Sequence, residues 1–209
     1  MTTQVNVLDL AQRISLNDRP RLLLLLAEAR RQALHDEGDF IEVGVFRGGS
    51  ALLLAYALKE SASARRLHLL DSWEGLPAPG PDDAGTFVGE GVFAAASEKA
   101  VRELLERLSL TQHCQLRRGW FASTLPPLQG PFALAHVDCD LHDSVKLCLD
   151  HLLPRMTPRG TIVVDDYGNL AQQRFPGVAK AVQEAIAGTP WRVMPLGGRR
   201  DQSVLLIRP

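Results

Sequence analysis

Short apolar runs alternate with longer amphipathic stretches along most of the chain, and this pattern predicts strands that alternate with helices. The strand candidates are compact apolar runs bounded by Gly, Asp or Pro. They cover 40–43, 65–70, 114–117, a run from 132 to the acids at 138 and 140, 161–165, 191–196 and 203–207. The helix candidates carry apolar residues at helical spacing and cover 18–35, 51–58, 97–108, 144–156 and 178–187.

The first helix candidate is rich in leucine and precedes the first strand. Asp18 is a suitable N-cap residue, and Pro20 suits the first helical turn. The run of leucines at 22–26 covers more than one face of this helix. We interpret that run as core packing, with burial in a homodimer as the alternative. Residues 1–37 are therefore predicted to be a helical segment added to the front of the domain.

Strands and helices alternate until the last two strands, which a short connection at 197–202 joins. Alternation of this kind predicts a doubly wound α/β sheet, and the short connection predicts a closing antiparallel hairpin. We therefore expect a Rossmann-like fold of seven strands, one of them antiparallel, with an extra N-terminal helix. No linker interrupts the pattern, so residues 1–209 are predicted to be a single domain.

A long stretch rich in proline and glycine, residues 72–92, interrupts the alternation after the second strand. Loops of this length in a compact domain are usually functional or disordered. We predict that residues 72–92 are a mobile lid, which closes over a bound acceptor and excludes water.

Charge and cysteine content narrow the range of functions. Lys plus Arg number 23 and Asp plus Glu number 24, so the formal net charge is −1 and no overall field attracts nucleic acid or an anionic membrane. We see no signal-peptide pattern and no apolar run long enough to span a membrane. The three cysteines lack CxxC spacing, which favours reduced thiols in a cytoplasmic protein and argues against a zinc site.

Acidic residues follow two strand candidates at the point where each strand ends. Asp138 and Asp140 end the strand that starts at 132, and Asp165 and Asp166 end the next one. The stretch between them is long enough for one crossover helix, so we expect parallel neighbours with their acidic ends side by side. Converging carboxylates do not all remain ionised without a cation or added protons. The pattern therefore predicts a divalent-metal site at the edge where open α/β sheets bind ligands.

The turn after the first strand favours a cofactor without phosphate groups. Glycines fall at 44, 48 and 49 after Glu42, which departs from both the dinucleotide pattern G-x-G-x-x-G and the Walker pattern. Such a turn suits a cationic amino-acid portion, as in S-adenosylmethionine. Asp71 ends the second strand, where it either accepts the two hydroxyls of a ribose or only caps the following loop.

Five motifs occur in the order found in one enzyme family. They are FIEVGVFRGG at 40–49, DSWEGLP at 71–77, GWF with TLP at 119–126, DCDL at 138–141 and VDDYG at 164–168. Together they resemble the macrocin O-methyltransferase family, S-adenosylmethionine-dependent enzymes that methylate sugar hydroxyls on antibiotics. The resemblance covers roughly residues 38–190 and implies the class I methyltransferase architecture.

The resemblance also implies roles for individual residues. Asp138, Asp165 and Asp166 would bind Mg²⁺ or another hard divalent cation, and Asp140 would be the general base. The residues expected to bind S-adenosylmethionine are Glu42, Gly44, Arg47, Gly48, Ser50, Asp71, Ser72, Ser97, Gly119, Trp120 and Asp138. Contacts with the acceptor are expected from His142 and Tyr167.

Some of these residues have a structural alternative. Trp120 is either a wall for adenine or a core aromatic residue, and Ser97 is either a cofactor contact or the N-cap of a helix. Arg47 pairs with either a carboxylate of the cofactor or Glu42. His142 is equally a core or solvated histidine, and His136, inside a strand, is expected to be structural.

These expectations predict a Mg²⁺-dependent O-methyltransferase that acts on a hydroxyl of a small molecule, foremost a sugar or a sugar-bearing natural product. One alternative is a catechol-type enzyme, which usually has Lys where Leu141 stands and Asn where Asp166 stands. Another is a non-catalytic partner subunit that binds S-adenosylmethionine. Cys139 and His142 replace the Gly and Tyr typical of the family, so the acceptor does not follow from the resemblance.

Overall fold

One mixed sheet organises the molecule. The structure is a computed structural model, and it describes residues 6–35, 37–168, 174–196 and 203–209. The strands in it are β1 (Asp39–Val43), β2 (Leu67–Asp71), β3 (Cys114–Arg118), β4 (Phe132–Val137), β5 (Met156–Val164), β6 (Arg192–Pro195) and β7 (Val204–Ile207). Their order is β3-β2-β1-β4-β5-β7-β6, and β7 is antiparallel to both of its neighbours. The predicted seven-stranded sheet with one antiparallel strand is confirmed.

Helices cover both faces of this sheet. Within the described residues they are α1 (Val7–Ile14), α2 (Arg19–Ala33), α3 (Gly49–Glu60), α4 (Glu98–Arg107), α5 (Phe121–Thr124), α6 (His142–Leu152) and α7 (Pro176–Ile186). Successive strand residues point to opposite faces. Phe40 accordingly packs in the cluster with α1, α2 and α3, whereas Ile41 packs in the cluster with α6 and α7. The fold is therefore doubly wound, as the alternation of strands and helices predicted.

The N-terminal segment contains two helices where the sequence pattern predicted one. Helix α1 begins after Asn6, whose side chain accepts hydrogen bonds from the backbone of Leu8 and Asp9. Leu8 and Ala11 are buried against the cluster that includes α3. Packing of this kind stabilises a helix too short to persist alone, which is why the weak pattern at 1–17 did not reveal it.

The leucine-rich helix α2 packs into the core of its own chain. Leu22, Leu25 and Leu26 are buried with the residues of α3, whereas Leu23 on the other face is exposed. Asp18 caps the helix by accepting a hydrogen bond from the backbone of Arg21. The predicted core role of α2 is therefore confirmed, and the homodimer stays a prediction.

Strand β5 begins earlier than the sequence pattern predicted. Residues 158–160, which lie between the helix and strand candidates of the sequence, are part of the strand, and α6 ends at Leu152 because Leu153–Arg155 form a short 3₁₀ helix. The pairing with β4 changes register between Phe132 and Leu134. This irregularity accommodates Pro158, which cannot donate a ladder hydrogen bond.

The two acidic strand ends are neighbours, as predicted. Strands β4 and β5 are parallel, and Val137 pairs with Val164 at their carboxyl ends. Asp138 and Asp165 follow these residues directly and therefore leave the sheet side by side. At the side edge of the sheet formed by the last two strands, β6 and β7 pair in an antiparallel manner. Their predicted connection at 197–202 lies outside the described residues.

No helix in the described ranges combines the length and the apolar composition needed to cross a lipid bilayer.

Candidate active site

A cavity of about 330 Å³ opens at the carboxyl ends of β1, β2 and β4. The β1–α3 turn forms its floor, part of the loop 72–92 forms one wall, and residues 14–17 with Arg21 form another. Residues from β-strand ends therefore meet residues from the N-terminal helices in one concave space. This position is the one at which open α/β sheets bind ligands.

The β1–α3 turn depends on glycine at its first position. Gly44 has a φ of +89°, and a Cβ atom there would collide with the backbone carbonyl of Asp138. Gly44, Arg47 and Ser50 line the cavity. Gly48, by contrast, is the N-cap of α3 and lies against Val101 of α4, outside the cavity wall.

Asp71 ties this turn to the end of β2. Its Oδ2 atom accepts hydrogen bonds from the backbone N–H groups of Val45 and Phe46, both at 2.8 Å, and its Oδ1 atom accepts one from Trp73 at 2.7 Å. Asp71 also lines the cavity together with Ser72. The carboxylate therefore both shapes the turn and faces the space expected to hold the cofactor.

The far end of the cavity is formed by the segment after β3. Gly119 and Trp120 line it, and Trp120 is 44% exposed. This exposure excludes the core alternative for Trp120 and leaves its ring available for stacking. Ser97 lies elsewhere: its Oγ atom accepts a hydrogen bond from the backbone N–H of Ala100 and caps α4. Helix capping thus accounts for Ser97.

Glu42, expected to contact the cofactor, is fully buried beneath the cavity. Its Oε1 atom lies 2.8 Å from Nδ1 of His136, whose Nε2 atom lies 3.1 Å from Oδ2 of Asp165. Burial opposes the imidazolium form of His136, but hydrogen bonds to Asp165 and Glu42 raise its pKa well above the ordinary value. His136 is therefore a buried cation between two carboxylates. Oε2 of Glu42 has no hydrogen-bond partner among the described residues.

Asp165 is occupied by internal hydrogen bonds. Besides His136, Asn17 donates to its Oδ2 atom at 2.8 Å, and Ser203 donates to its Oδ1 atom. Burial alone would raise the pKa of Asp165, but the hydrogen bond and charge of His136 outweigh it and lower the pKa to about 2. Asp165 is thus an ionised residue that braces the floor of the site.

Three other carboxylates converge above it. One oxygen each from Asp138, Asp140 and Asp166 lies within 4.8 Å of the others, and all three residues line the cavity. Asp140 and Asp166 have positive φ angles of 65° and 56°, values that are uncommon for non-glycine residues and that cluster at functional sites. His136, Asp138 and Asp165 form a second group of the same compactness.

The three carboxylates repel one another. Burial and the charge of Asp165 raise the pKa of Asp138 to about 6. Burial and the charges of Asp138 and Asp165 raise the pKa of Asp166 to about 8. Burial, with Asp138 and Asp166, also raises the pKa of Asp140 well above its usual value. A cluster of this charge favours either protons or a cation.

The donor set fits a hard divalent cation. Carboxylate oxygens are the ligands that Mg²⁺ prefers in proteins, and Mg²⁺ usually retains several waters beside one or two carboxylates. Asp138 and Asp166 line the cavity, and each has one carboxylate oxygen that accepts no hydrogen bond from a described residue. Asp165 would act as a ligand only after giving up part of its present hydrogen bonding, since both of its oxygens accept hydrogen bonds.

Two polar residues of the site came from a stretch that the sequence pattern did not assign to any function. Arg21 places Nη1 3.0 Å from Oδ1 of Asp166, and Asn17 donates to Asp138 at 3.3 Å as well as to Asp165. Both residues line the cavity. The only sequence signal for them is a polar side chain at the start of an otherwise leucine-rich helix.

The residues expected to contact the acceptor lie outside the cavity wall. His142 is buried, with Nδ1 2.8 Å from Asp143 and Nε2 3.0 Å from Glu184. Tyr167 packs against the core, and its hydroxyl accepts a hydrogen bond from Gln183.

Aromatic residues form the apolar walls instead. Phe46 and Phe93 lie edge to face with their ring centroids 5.6 Å apart, and Phe87 and Phe175 are 5.5 Å apart. All four line the cavity, and Phe87 is 61% exposed at the loop surface. The sequence pattern did not predict either aromatic pair, because these phenylalanines do not recur at a regular spacing along the chain.

Hydrogen bonds hold the loop 72–92 both internally and against the rest of the molecule. Within the loop, the backbone N–H of Leu76 donates to the carbonyl of Val92 at 2.8 Å. Asp83 is buried and accepts a hydrogen bond from the backbone N–H of His142 at 2.9 Å, at the start of α6. Thr86 donates to the carbonyl of Arg174. The predicted lid motion stays a prediction. Any such motion would have to break the hydrogen bonds of Asp83 and Thr86 to the rest of the molecule.

Comparisons with known proteins identify a family for this chain and a fold that it shares. The family model described as Macrocin-O-methyltransferase (TylF) matches residues 18–185. The 8-demethyl-8-(2,3-dimethoxy-alpha-L-rhamnosyl)-tetracenomycin-C 4'-O-methyltransferase of Streptomyces olivaceus is 36% identical over 139 residues, which cover 62% of this chain and 53% of that protein. Demethyldecarbamoylnovobiocin O-methyltransferase of Streptomyces niveus is 32% identical over 142 residues, with the same coverage of 62% and 53%.

The chain therefore spans about half the length of the curated relatives it matches. Among solved structures, the O-methyltransferase NovP superposes with a TM-score of 0.77 over 93% of this chain and 82% of that chain. The sequence identity in this superposition is 24%, so the likeness shows that the two proteins share a fold.

Proposed function

Because this chain belongs to the macrocin O-methyltransferase family, we propose that it is an S-adenosylmethionine-dependent O-methyltransferase that requires Mg²⁺ or a similar divalent cation. The proposed acceptor is a hydroxyl group on the sugar of a natural product. One observation carries this proposal: Asp138, Asp140 and Asp166 converge in the same cavity as the glycine turn and Asp71. Cofactor groups and acid–base groups are thereby brought within one space.

The glycine turn and Asp71 support the cofactor assignment. Gly44 would hold the amino-acid portion of S-adenosylmethionine, and Asp71 would hold its ribose. Trp120, whose ring is exposed in the cavity, would supply a stacking surface for the adenine. Glu42 is buried under the turn, so we assign it to bracing rather than to direct contact with the cofactor.

Asp140 supports the assignment of the proton acceptor. It is half-buried in the cavity wall beside two other carboxylates, and the resulting rise in its pKa strengthens it as a base once it is ionised. We assign to it the removal of the proton from the acceptor hydroxyl during attack on the methyl group. The sulfonium carbon and the hydroxyl oxygen must be aligned for this displacement, and the cavity walls supply the alignment.

Asp138 and Asp166 are the residues we propose to hold the cation, with Asp165 bracing them from below. A divalent ion held there would supply positive charge to stabilise the negative charge that develops on the acceptor oxygen. His136 keeps Asp165 ionised, and Asn17 connects Asp165 to Asp138. The chain thereby fixes the positions of the carboxylates before any ligand binds.

The proposal of a sugar acceptor rests on the names of the relatives and on the residues of the cavity walls. The name of the Streptomyces olivaceus relative describes O-methylation of a compound that carries a rhamnosyl group. In this chain, the phenylalanines 46, 87, 93 and 175 offer apolar surface to the ring faces of such a ligand. We further propose that the loop 72–92 closes over the acceptor and removes water from the reacting groups.

The test is a methyl-transfer assay on a panel of acceptors. The protein is incubated with S-adenosylmethionine, Mg²⁺ and either deoxysugar glycosides or catechols, and the products are identified by mass spectrometry. The proposal predicts S-adenosylhomocysteine and a methyl group on a sugar oxygen. Turnover of catechols alone would reject the sugar acceptor, and tight cofactor binding without any transfer would reject the catalytic role.

A further inference from the structure

We propose that Arg21 is a further positioning residue of this site: it is an internal counter-ion of the carboxylate cluster that competes with the divalent cation for Asp166. The inference rests on the proposed function, because it assumes that a cation binds to these carboxylates. It adds a residue of the N-terminal helix to a site otherwise built from strand ends.

The position of Arg21 is fixed by its own helix. Its backbone N–H donates to the Oδ1 atom of Asp18 at 3.0 Å, which places Arg21 in the first turn of α2. From there the side chain extends into the cavity and is only 14% exposed. Nη1 donates to Oδ1 of Asp166 at 3.0 Å, across 145 positions of sequence.

The contact is a charge-assisted hydrogen bond shielded from water, and it becomes a full ion pair when Asp166 is ionised. The side chain of Asp166 is 12% exposed, so solvent screens the pair much less than a pair at the surface. Burial opposes the charge of Arg21, but Asp165, Asp166 and Asp138 outweigh it and raise the pKa of the guanidinium. Arginine does not lose its proton in proteins, so the site always contains one fixed positive charge.

A fixed guanidinium has two opposing effects on a divalent cation. It holds Asp166 in the unusual conformation with φ of +56°, which keeps one ligand group in place. The guanidinium also repels the divalent cation, and its hydrogen bond occupies a lone pair on Oδ1 of Asp166 that the cation would need. Because Arg21 and the cation draw on the same carboxylate, each weakens the binding of the other. We expect the second effect to be the larger one, because the hydrogen bond from Arg21 occupies Asp166 itself, whereas Asp138 accepts a hydrogen bond from Asn17.

The helix that carries Arg21 makes this role specific. Arg30 lies on the same helix α2, but it pairs with Glu60 of α3 at 2.8 Å, away from the cavity. The Arg30 side chain is 52% exposed. Arg30→Met therefore removes an arginine ion pair from the same helix without touching the carboxylate cluster, and it is the matched control.

The experiment measures Mn²⁺ binding by isothermal titration calorimetry and by the electron paramagnetic resonance of free Mn²⁺. The full chain is used as wild type, Arg21→Met, Arg21→Lys and Arg30→Met, each first stripped with chelator. We expect Arg21→Met to bind Mn²⁺ roughly tenfold more tightly than wild type. Arg21→Lys keeps the charge and stays nearer to wild type, and Arg30→Met is unchanged.

Thermal unfolding supplies a second measurement. Without metal, Arg21→Met should unfold at a lower temperature than Arg30→Met, because Asp166 then loses its buried hydrogen-bond donor and counter-ion. Added Mn²⁺ should stabilise Arg21→Met by a larger shift than it stabilises wild type. If Arg21→Met does not fold, Arg21→Gln provides the neutral variant, and Arg21→Lys remains a test of charge against geometry.

Two results would overturn the inference in different ways. Equal or weaker Mn²⁺ binding by Arg21→Met, with normal binding by wild type, rejects the competition and leaves the proposed function intact. Absence of Mn²⁺ binding by every variant, wild type included, rejects the metal site of the proposed function and the role of Arg21 together.

Discussion

Asp71, at the end of β2, accepts a hydrogen bond of 2.8 Å from the backbone N–H of Phe46 in the turn that follows β1. Phe46 has a φ of +50° and lines the cavity, so this bond holds a strained residue in the floor of the cavity. A side chain of one strand thus fixes the backbone conformation of the neighbouring strand's turn.

Asp71→Asn is predicted to weaken S-adenosylmethionine binding by at least about tenfold, since an amide has one acceptor oxygen and presents an N–H₂ group to backbone donors. Calorimetric titration with S-adenosylmethionine measures the change. Asp39→Asn is the matched control, because Asp39 lies at the opposite end of β1 and also accepts from a backbone N–H, that of Arg66. Equal cofactor affinity in Asp71→Asn and wild type would contradict the assignment.

Asp140→Asn is predicted to reduce the turnover number by about 10²- to 10⁴-fold, the usual contribution of a general base. Affinity for S-adenosylmethionine should remain close to wild type, because the substitution leaves the glycine turn and Asp71 untouched. Steady-state kinetics and cofactor titration on the same preparation separate the two effects. Asp143→Asn, whose side chain is 88% exposed, is the control. Turnover within a few-fold of wild type would exclude Asp140 as the base.

Metal affinity is predicted to increase with pH. Burial and neighbouring carboxylates raise the pKa of Asp138 to about 6 and that of Asp166 to about 8. Below these values the folded protein holds protons that the cation must displace, and above them it does not. The dissociation constant for Mn²⁺ should therefore fall from pH 6 to above pH 8 and then level off. Calorimetry in buffers of different ionisation enthalpy should detect proton release at the lower pH, and a flat profile would be incompatible with this cluster.

The loop 72–92 is predicted to become protected when ligands bind. Phe87 is 61% exposed, which makes it the natural chymotrypsin site of this loop. Cleavage after Phe87, located by mass spectrometry, should slow when cofactor and acceptor are present together. Phe87→Ala removes this cleavage site, so the fragment that is missing from its digest is the one produced by cleavage after Phe87. An unchanged cleavage rate with both ligands bound would count against closure.

The sequence predicted the sheet well because buried parallel strands and crossover helices leave strong patterns. The sequence pattern also predicted that Asp138, Asp140 and Asp166 lie at one edge of the sheet, because neighbouring parallel strands end on the same side. Sequence alone could not say which acids are engaged internally. Asp165 and Asp166 are adjacent in the chain, yet Asp165 turns inward to His136 and Ser203 whereas Asp166 faces the cavity and Arg21.

The remaining differences arise from tertiary contacts. Helix α1 is stabilised by burial of Leu8 and Ala11, which local propensity does not report. Glu42 and His136 form a buried hydrogen bond that links β1 to β4. No sequence motif in either strand predicts this pair. Asn17 and Arg21 reach the acids from more than a hundred positions away, so only the folded chain brings them together.

The most direct test of the central claim is the metal dependence of methyl transfer. The protein is stripped with EDTA, passed into metal-free buffer, and assayed for transfer of the methyl group from labelled S-adenosylmethionine to a sugar hydroxyl, before and after Mg²⁺ is added. The account predicts no transfer in the stripped protein and recovery with Mg²⁺, while Asp138→Asn and Asp166→Asn recover little. Full activity in metal-free buffer would contradict it.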